Sequence, residues 1–183
     1  MTTYICLLRG INVGGNNKLP MKELRTLLEG LGLENVQSYI QSGNVVFQSE
    51  RTDKAILSQE ISAAIEKDHG FAPAILLLDR VEWERAMAAN PFPQAVDEPK
   101  SLHLFFLEPA PTDPDLAALD EWKKESEAFK LIDKVFYLHA PEGIGRSKLA
   151  ERFGRGWKVD ITARNWRTVC KLKEMIDEVE NHG

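Results

Sequence analysis

Residues 4–20, YICLLRGINVGGNNKLP, decide the fold, because an apolar run leads into a glycine- and asparagine-rich loop and then into a helix start. The run from Thr3 to Leu8 predicts a buried strand. Pro20 suits the first turn of a helix, and leucines at helical spacing continue from there to about Gly30. The chain therefore begins with a strand, a polar loop and a helix.

The following residues extend this unit to a βαββαβ order. Two short apolar runs joined by the turn Gln41–Gly43 predict a hairpin. A helix, a fourth strand and a short helix follow it. The predicted elements are strands at 35–40 and 44–48, a helix at 53–68, a strand at 74–78 and a helix at 80–89.

A proline-rich interruption over residues 90–99 precedes a second copy of the same order. Its predicted elements are a strand at 102–107, a helix at 114–125 capped by Thr112 or Asp113, a hairpin at 129–132 and 135–139, a helix at 146–153, a strand at 158–161 and a closing helix at 165–180. The predicted fold is α+β, with two tandem ferredoxin-like βαββαβ halves (residues 1–90 and 100–183) packed together and a C-terminal helix.

Composition limits the class of protein. The 183 residues are 43% hydrophobic, enough for a core. The sequence has neither a run long enough to cross a bilayer nor a basic signal-peptide start, which predicts a cytoplasmic protein without a membrane partner. Cys6 and Cys170 lack metal-ligand spacing, and we predict neither a metal nor a cofactor.

The charge is unevenly distributed. The net charge is −5, which argues against a dedicated nucleic-acid binder. Residues 143–173, however, contain nine basic residues and two acidic ones, and residues 1–28 contain four basic residues and one acidic one. Both candidate anion-binding segments lie in these basic stretches.

The loop from Arg9 to Lys18 has the glycine spacing of a Walker A motif but lacks its chemistry. Asn16 and Asn17 stand where lysine and serine or threonine are required, which excludes a P-loop NTPase. Glycines and asparagines can still take positive φ and direct amides at an anion, although the same residues equally suit a structural turn. The candidate ligand contacts are Arg9, Gly10, Asn12, Gly14, Gly15 and Lys18.

Two predicted helix starts in the second half carry cations. Cations there oppose the helix dipole, so their presence favours an anionic partner. That partner could be internal, through Asp160 or Glu142, and Ser147, Thr162 or Asn165 could be plain N-caps. The candidate ligand contacts are Arg146, Ser147, Lys148, Arg164, Asn165, Trp166 and Thr168.

The hairpin Tyr39–Asn44 also carries polar groups that could contact a ligand. We expect strands 1 and 3 of the first half to be parallel. This hairpin would then lie at the opposite end of the sheet from the loop after strand 1. A ligand that contacts both would then need the second half or a second subunit.

Four separated motifs resemble the signatures of the bacterial domain-of-unknown-function family 1697. The resemblance implies a two-part α+β fold and brings no established activity or catalytic residues. The motifs are Leu8–Gly15, Tyr39–Val45, Gly145–Leu149 and Thr162–Thr168.

The leading functional hypothesis is a module that binds a phosphate-bearing small molecule or nucleic acid at a basic surface. One alternative is a metal-independent enzyme acting on a small anionic metabolite, with Ser147, Lys148 or Arg164 near the chemistry. Another is a regulatory or assembly module without a ligand. The sequence leaves the oligomeric state open.

Overall fold

The computed structural model describes residues 1–182 and has a mixed α+β fold. The chain divides into two compact units. Unit 1 comprises Met1–Arg85 together with the residues from Lys171 onward, and unit 2 comprises Ala86–Cys170. Each unit contains one four-stranded antiparallel sheet, so the predicted tandem βαββαβ order is confirmed.

Unit 1 contains the first sheet, in the strand order β2-β3-β1-β4. Each neighbouring pair is antiparallel. Helix α3 begins in this unit and ends in unit 2. The elements are β1 (Thr2–Arg9), α1 (Met21–Gly30), β2 (Glu34–Tyr39), β3 (Asn44–Ser49), α2 (Lys54–His69), β4 (Ala74–Asp79) and α3 (Arg80–Ala88).

Local chemistry sets the helix ends in unit 1. Helix α1 begins directly after Pro20, as the sequence predicts. The Asp53 carboxylate caps α2 by accepting a hydrogen bond from the Ile56 amide at 3.0 Å, and Gly70 ends that helix at φ 80. Leucines and isoleucines of both helices pack with Tyr4, Phe47 and their neighbours in one buried cluster.

Unit 2 contains the second sheet, in the order β6-β7-β5-β8. Helix α6 begins in unit 2 and belongs to unit 1 from Lys171 onward. The elements are a 3₁₀ turn (Pro93–Asp97), β5 (Leu102–Glu108), α4 (Leu116–Trp122), β6 (Ala128–Ile132), β7 (Val135–His139), a 3₁₀ turn (Ile144–Arg146), α5 (Lys148–Arg152), β8 (Asp160–Asn165) and α6 (Trp166–His182).

Two helices of unit 2 are shorter than predicted. The predicted caps of α4, Thr112 and Asp113, are wrong, because the Asp115 carboxylate accepts from the Ala118 amide at 3.0 Å and the helix starts at Leu116. Helix α5 begins at Lys148 rather than at Arg146, because the 3₁₀ turn precedes it and Ser147 caps it.

The core of unit 2 is built around aromatic rings. Phe136 stacks on Phe153 with 4.0 Å between ring centroids, and Phe105 and Trp157 meet Phe153 edge-on. Such offset and edge-to-face pairs add stabilisation beyond the area they bury. This cluster holds Phe105, and with it β5, against the helices of the unit.

Candidate functional site

The loop between β1 and α1 is closed by its own hydrogen bonds; we call residues 10–18 the finger. The Asn12 amide donates to the Asn17 carbonyl at 3.0 Å, and the Asn17 side chain donates to the Gly10 carbonyl at 3.0 Å. The tip is a tight turn in which the Asn16 amide donates to the Val13 carbonyl. The finger is therefore a braced element whose tip is exposed.

The finger depends on backbone conformations that glycine and asparagine tolerate. The prediction that these residues take positive φ is confirmed, with values from 49 to 78°. Other L-residues would be strained at these positions. The positions are Gly10, Asn12, Gly14, Gly15 and Asn17.

The Asn12 side chain joins the finger to two neighbouring segments. Its amide nitrogen donates to the carbonyl of Leu19 at 2.9 Å and to that of Gln41 at 2.8 Å. Its oxygen accepts from the Leu19 amide at 2.8 Å. Both donors and the acceptor are thus used inside the protein, and Asn12 connects the finger to α1 and to the β2–β3 turn.

The predicted separation of the finger from the β2–β3 hairpin is wrong. Strands β1 and β3 are antiparallel, with Leu7 opposite Asn44. A β1-α1-β2 crossover makes β1 and β2 parallel, and the hairpin then reverses β3 relative to both. The loop after β1 and the β2–β3 turn consequently lie at the same end of the sheet, and no second half or subunit is needed to bring them together.

The β2–β3 turn fits tightly against the end of β1. The Leu8 amide donates to the Gly43 carbonyl at 2.8 Å, and a Cβ on Gly43 would lie 2.7 Å from the Cβ of Leu8. The buried Asn44 side chain donates to the Ser42 hydroxyl at 2.9 Å and to the Tyr39 carbonyl at 3.2 Å. The side-chain amide of Asn44 thus stabilises the turn.

The candidate contacts of unit 1 differ in what remains accessible. Gly14, Gly15 and Lys18 are exposed, as is Arg9. Lys18 forms no ion pair with any residue that the structure describes. The finger therefore presents its glycine amides and the Lys18 ammonium to solvent, while the Asn12 side chain faces the protein.

In unit 2, Arg146, Ser147 and Lys148 line an open cavity of about 400 Å³ beside α5, which we call the α5 cavity. Phe105 of β5 also lines it. Arg146 and Lys148 are exposed and form no ion pair among residues 1–182. Ser147 is buried, and its hydroxyl accepts from the Ala150 amide at 3.0 Å, so it serves as the N-cap of α5.

The start of α6 divides the second set of candidates by role. The Asn165 side-chain oxygen accepts from the Thr168 amide at 2.9 Å and caps the helix. Trp166 and Thr168 are buried. The predicted position of Arg164 at a helix start is wrong, because β8 continues to Asn165 and Arg164 lies on that strand; its guanidinium donates to the Ala163 carbonyl at 2.8 Å. The exposed cation of this helix start is Arg167, which the sequence-based contact set omits.

Arg167 lines a second open cavity, of about 550 Å³, which we call the α6 cavity. Lys100, Ser101 and Gly143 line it as well. Lys100, like Arg167, is exposed and unpaired among the described residues. Sequence reasoning missed Lys100 because it lies in the irregular segment before β5; the register of β5 with β7 brings this segment beside residues 140–143.

Nearby acidic groups are held by partners of their own. Lys124 and Ser126 donate to the Glu142 carboxylate at 2.6 and 2.9 Å, and these hydrogen bonds keep the pKa of Glu142 below its usual range. Glu151 pairs with Arg155 at 3.5 Å. Arg146 also interacts electrostatically with Glu142, and Glu151 and Glu98 lie in the linings of the α5 and α6 cavities. Each lining therefore contains two cations and one carboxylate.

His103 of β5 lies between Leu138 of β7 and Asn165 of β8. It is 9% exposed, and the residues that the structure describes offer no hydrogen-bond partner to its buried Nδ1. Burial lowers the pKa of His103 to about 4, which makes the imidazole neutral at pH 7. This histidine therefore adds no charge near the cavities.

Neither a metal centre nor a membrane-spanning helix is found in the described part of the chain. Residues 1–182 contain no cluster of three or more histidine, cysteine or carboxylate side chains arranged to hold a metal ion. Among the helices of these residues, none has the length and apolar character to span a membrane.

The comparisons with known proteins agree with this architecture. A conserved bacterial protein, SP0830 from Streptococcus pneumoniae, has a similar structure, with a TM-score of 0.74, 29% sequence identity and coverage of 96% of this chain and 98% of that chain. A comparison with curated proteins found no match. The family model described as "Protein of unknown function (DUF1697)" matches residues 1–137, and the chain belongs to this family.

Proposed function

We propose that the protein binds a phosphate-bearing ligand, a nucleotide or a nucleic acid, at the α5 cavity. The observation that carries the proposal is the pair of exposed cations, Arg146 and Lys148, on the rim of a cavity lined also by Phe105. A volume of about 400 Å³ falls in the range of small-molecule sites. Its combination of charge and apolar surface suits a phosphate joined to a base.

The proposed roles of the three neighbouring residues differ. Arg146 and Lys148 supply positive charge to phosphate oxygens; arginine can bind them in a bidentate manner and lysine acts as a point charge. Ser147 holds the start of α5 through its bond to the Ala150 amide, and thereby positions Lys148. Asn165 has the matching role at α6.

The finger of unit 1 is a separate, smaller part of the proposal. Gly14, Gly15 and Lys18 offer amides and one cation to an anion. Asn12 acts on ligand binding only by holding the finger, because its side chain already makes three hydrogen bonds. A Lys18→Ala variant should accordingly weaken binding less than removal of both cations at the α5 cavity.

We also propose a cytoplasmic location. Neither cysteine forms a disulfide; Cys6 is buried and Cys170 is half-buried. Cysteines without disulfides are typical of reducing compartments. Nucleotides and nucleic acids are present there.

The experiment is titration of the full chain with AMP, ATP and a fluorescein-labelled hexanucleotide, by calorimetry and fluorescence anisotropy at two salt concentrations. The double variant R146A/K148A should bind at least about tenfold more weakly, because a hydrogen bond to a charged group contributes roughly 1.5–3 kcal/mol. The matched control, K130A/K158A, removes the same charge from unit 2 at two exposed lysines that line neither cavity, and it should bind as the wild type does.

Two results would contradict the proposal. One is no binding of any probe by the wild type at low salt. The other is an equal decrease of affinity in R146A/K148A and K130A/K158A, which would indicate attraction by net charge without a site. Thermal denaturation of each variant, followed by circular dichroism, checks that the fold is retained.

A further inference from the structure

We infer that the ligand is a single-stranded oligonucleotide that continues from the α5 cavity into the α6 cavity, where Lys100 and Arg167 bind a second phosphate. This inference rests on the proposed function and names the ligand class. It adds a phosphate subsite made of residues outside the sequence-based contact set.

The two cavities adjoin along one short loop of unit 2. Gly143 lines the α6 cavity, and the next residue, Ile144, lines the α5 cavity. Consecutive Cα atoms are about 3.8 Å apart, so the linings of the two cavities meet at one peptide unit. A strand that carries a phosphate every few ångströms can reach both.

At the boundary between the two cavities, Gly143 has no side chain that would block passage from one cavity to the other. Gly143 has φ 97 and ψ 141, a region essentially restricted to glycine. A Cβ placed on Gly143 would lie more than 4 Å from every described residue other than its two neighbours in the chain. The space above this residue is therefore open, and a chain can cross the loop there.

The charges form two pairs, one on each side of the loop. Arg146 and Lys148 lie on one side, and Lys100 and Arg167 on the other. All four are exposed, and the described part of the chain supplies no ion-pair partner to any of them. Glu98 also lines the α6 cavity but is outnumbered there by the two cations.

The surfaces between these cations suit bases. Phe105 and Ile144 line the α5 cavity, and Pro99, Ala140 and Pro141 line the α6 cavity. Proteins that bind single strands combine cations that follow the backbone with apolar or aromatic surfaces that contact bases. The two cavities, of about 400 and about 550 Å³, fall in the size range of small-molecule sites, so each admits a nucleotide.

The test measures anisotropy with labelled oligothymidylates of two, four and six nucleotides, and calorimetry with TMP. For the wild type, affinity should rise with length until both cavities are occupied. The K100A/R167A variant should bind the hexamer about tenfold more weakly and TMP within about twofold of wild type. The slope of log affinity against log salt should also become shallower by about 0.7 for each phosphate that the variant no longer neutralises.

The variants separate this inference from the proposed function. If R146A/K148A binds neither TMP nor the hexamer while K100A/R167A matches wild type, the second subsite is wrong and the proposed function stands. If wild-type protein binds no probe, both are wrong. K130A/K158A, with the same charge change at residues outside both cavities, should retain the wild-type dependence on length.

Inorganic polyphosphate of matched length distinguishes a nucleic acid from a simple chain of phosphates. The inference expects polyphosphate to bind more weakly than the hexanucleotide, because it lacks groups to contact the apolar linings. Equal or tighter polyphosphate binding would overturn the oligonucleotide assignment.

Discussion

Replacing Asn12 by alanine should destabilise unit 1 far more than the same change at Asn17. Asn12 makes three side-chain hydrogen bonds, two to Leu19 and one to Gln41, whereas the Asn17 side chain donates to Gly10. Both asparagines have positive φ, of 54 and 49°, so the strain that alanine introduces, about 1 kcal/mol, is common to both variants. The difference between them isolates the hydrogen bonds.

The magnitude follows from the number of bonds. A neutral hydrogen bond contributes a net of about 1 kcal/mol, and exposure of the Asn12–Gln41 bond reduces its share. We expect Asn12→Ala to lower the free energy of unfolding by about 3 kcal/mol and Asn17→Ala by about 1–2 kcal/mol. Urea denaturation monitored by circular dichroism measures both values.

Amide hydrogen exchange supplies a local measurement. The Leu19 amide donates to the Asn12 side chain, so it should lose protection in Asn12→Ala and keep it in Asn17→Ala. Equal urea midpoints for the two variants, or an unchanged exchange rate at Leu19, would refute the role assigned to Asn12. An Asn12→Asp variant, which places a carboxylate oxygen against the carbonyls of Leu19 and Gln41, should be at least as unstable as Asn12→Ala.

Three further predictions concern buried positions. Gly43→Ala should lower the free energy of unfolding, measured by urea denaturation, by several kcal/mol. The new Cβ would lie 2.7 Å from the Cβ of Leu8, and the backbone φ at this position is 81°. A variant as stable as the wild type would contradict this prediction. The pKa of His103 is 6.5 in the unfolded protein and falls to about 4 in the folded protein. Between pH 6.5 and pH 4 the unfolded state therefore binds more protons than the folded state, and the free energy of unfolding falls as the pH drops through this range. Wild type should lose about 2 kcal/mol between pH 7 and pH 5, and His103→Leu should lack this component, as urea midpoints at each pH will measure. Tyr137→Phe should lower the free energy of unfolding by about 1–2 kcal/mol, because the Ala86 carbonyl loses its hydroxyl donor. Burial raises the pKa of Tyr137 to about 12, so ultraviolet titration of the wild type should show one tyrosine that ionises near this pH.

The order of helices and strands can be predicted from the sequence, because hydrophobic periodicity and the residues that start or end an element act on neighbouring residues. Pro20 starts α1 and Gly70 ends α2, and each acts on its own neighbours. Strand direction is not local. The antiparallel pairing of β1 with β3 follows from the β1-α1-β2 crossover, which makes β1 and β2 parallel before the hairpin reverses the chain. A prediction that does not take account of this crossover places the finger and the β2–β3 turn at opposite ends of the sheet. In the structure they lie at the same end, and the Asn12 side chain donates to the Gln41 carbonyl of the turn.

The candidate site is harder to predict than the fold, because side-chain partners come from distant segments. Ser147 and Asn165 have the residue types of both caps and ligand contacts, and their hydrogen bonds to Ala150 and Thr168 identify them as caps. Lys100 has no local signal, since it lies in an irregular segment before β5. The sequence shows Arg167 as one of the basic residues in 143–173. That its side chain is exposed becomes clear only from its position in the first turn of α6, after the cap Asn165.

The two polar motifs of the chain illustrate why residue type alone does not identify a binding site. The finger contains more of the residues typical of an anion nest, yet the side chains of Asn12 and Asn17 donate to carbonyls of unit 1. In unit 2 the backbone around Gly143 is closed by short turns, and the cations on both sides of it are exposed and form no ion pair within residues 1–182. A group already bound to the protein must break that interaction to bind a ligand, whereas a hydrated surface cation only exchanges water. For this reason the α5 and α6 cavities are the stronger candidates for ligand binding, although the finger has the more conspicuous sequence.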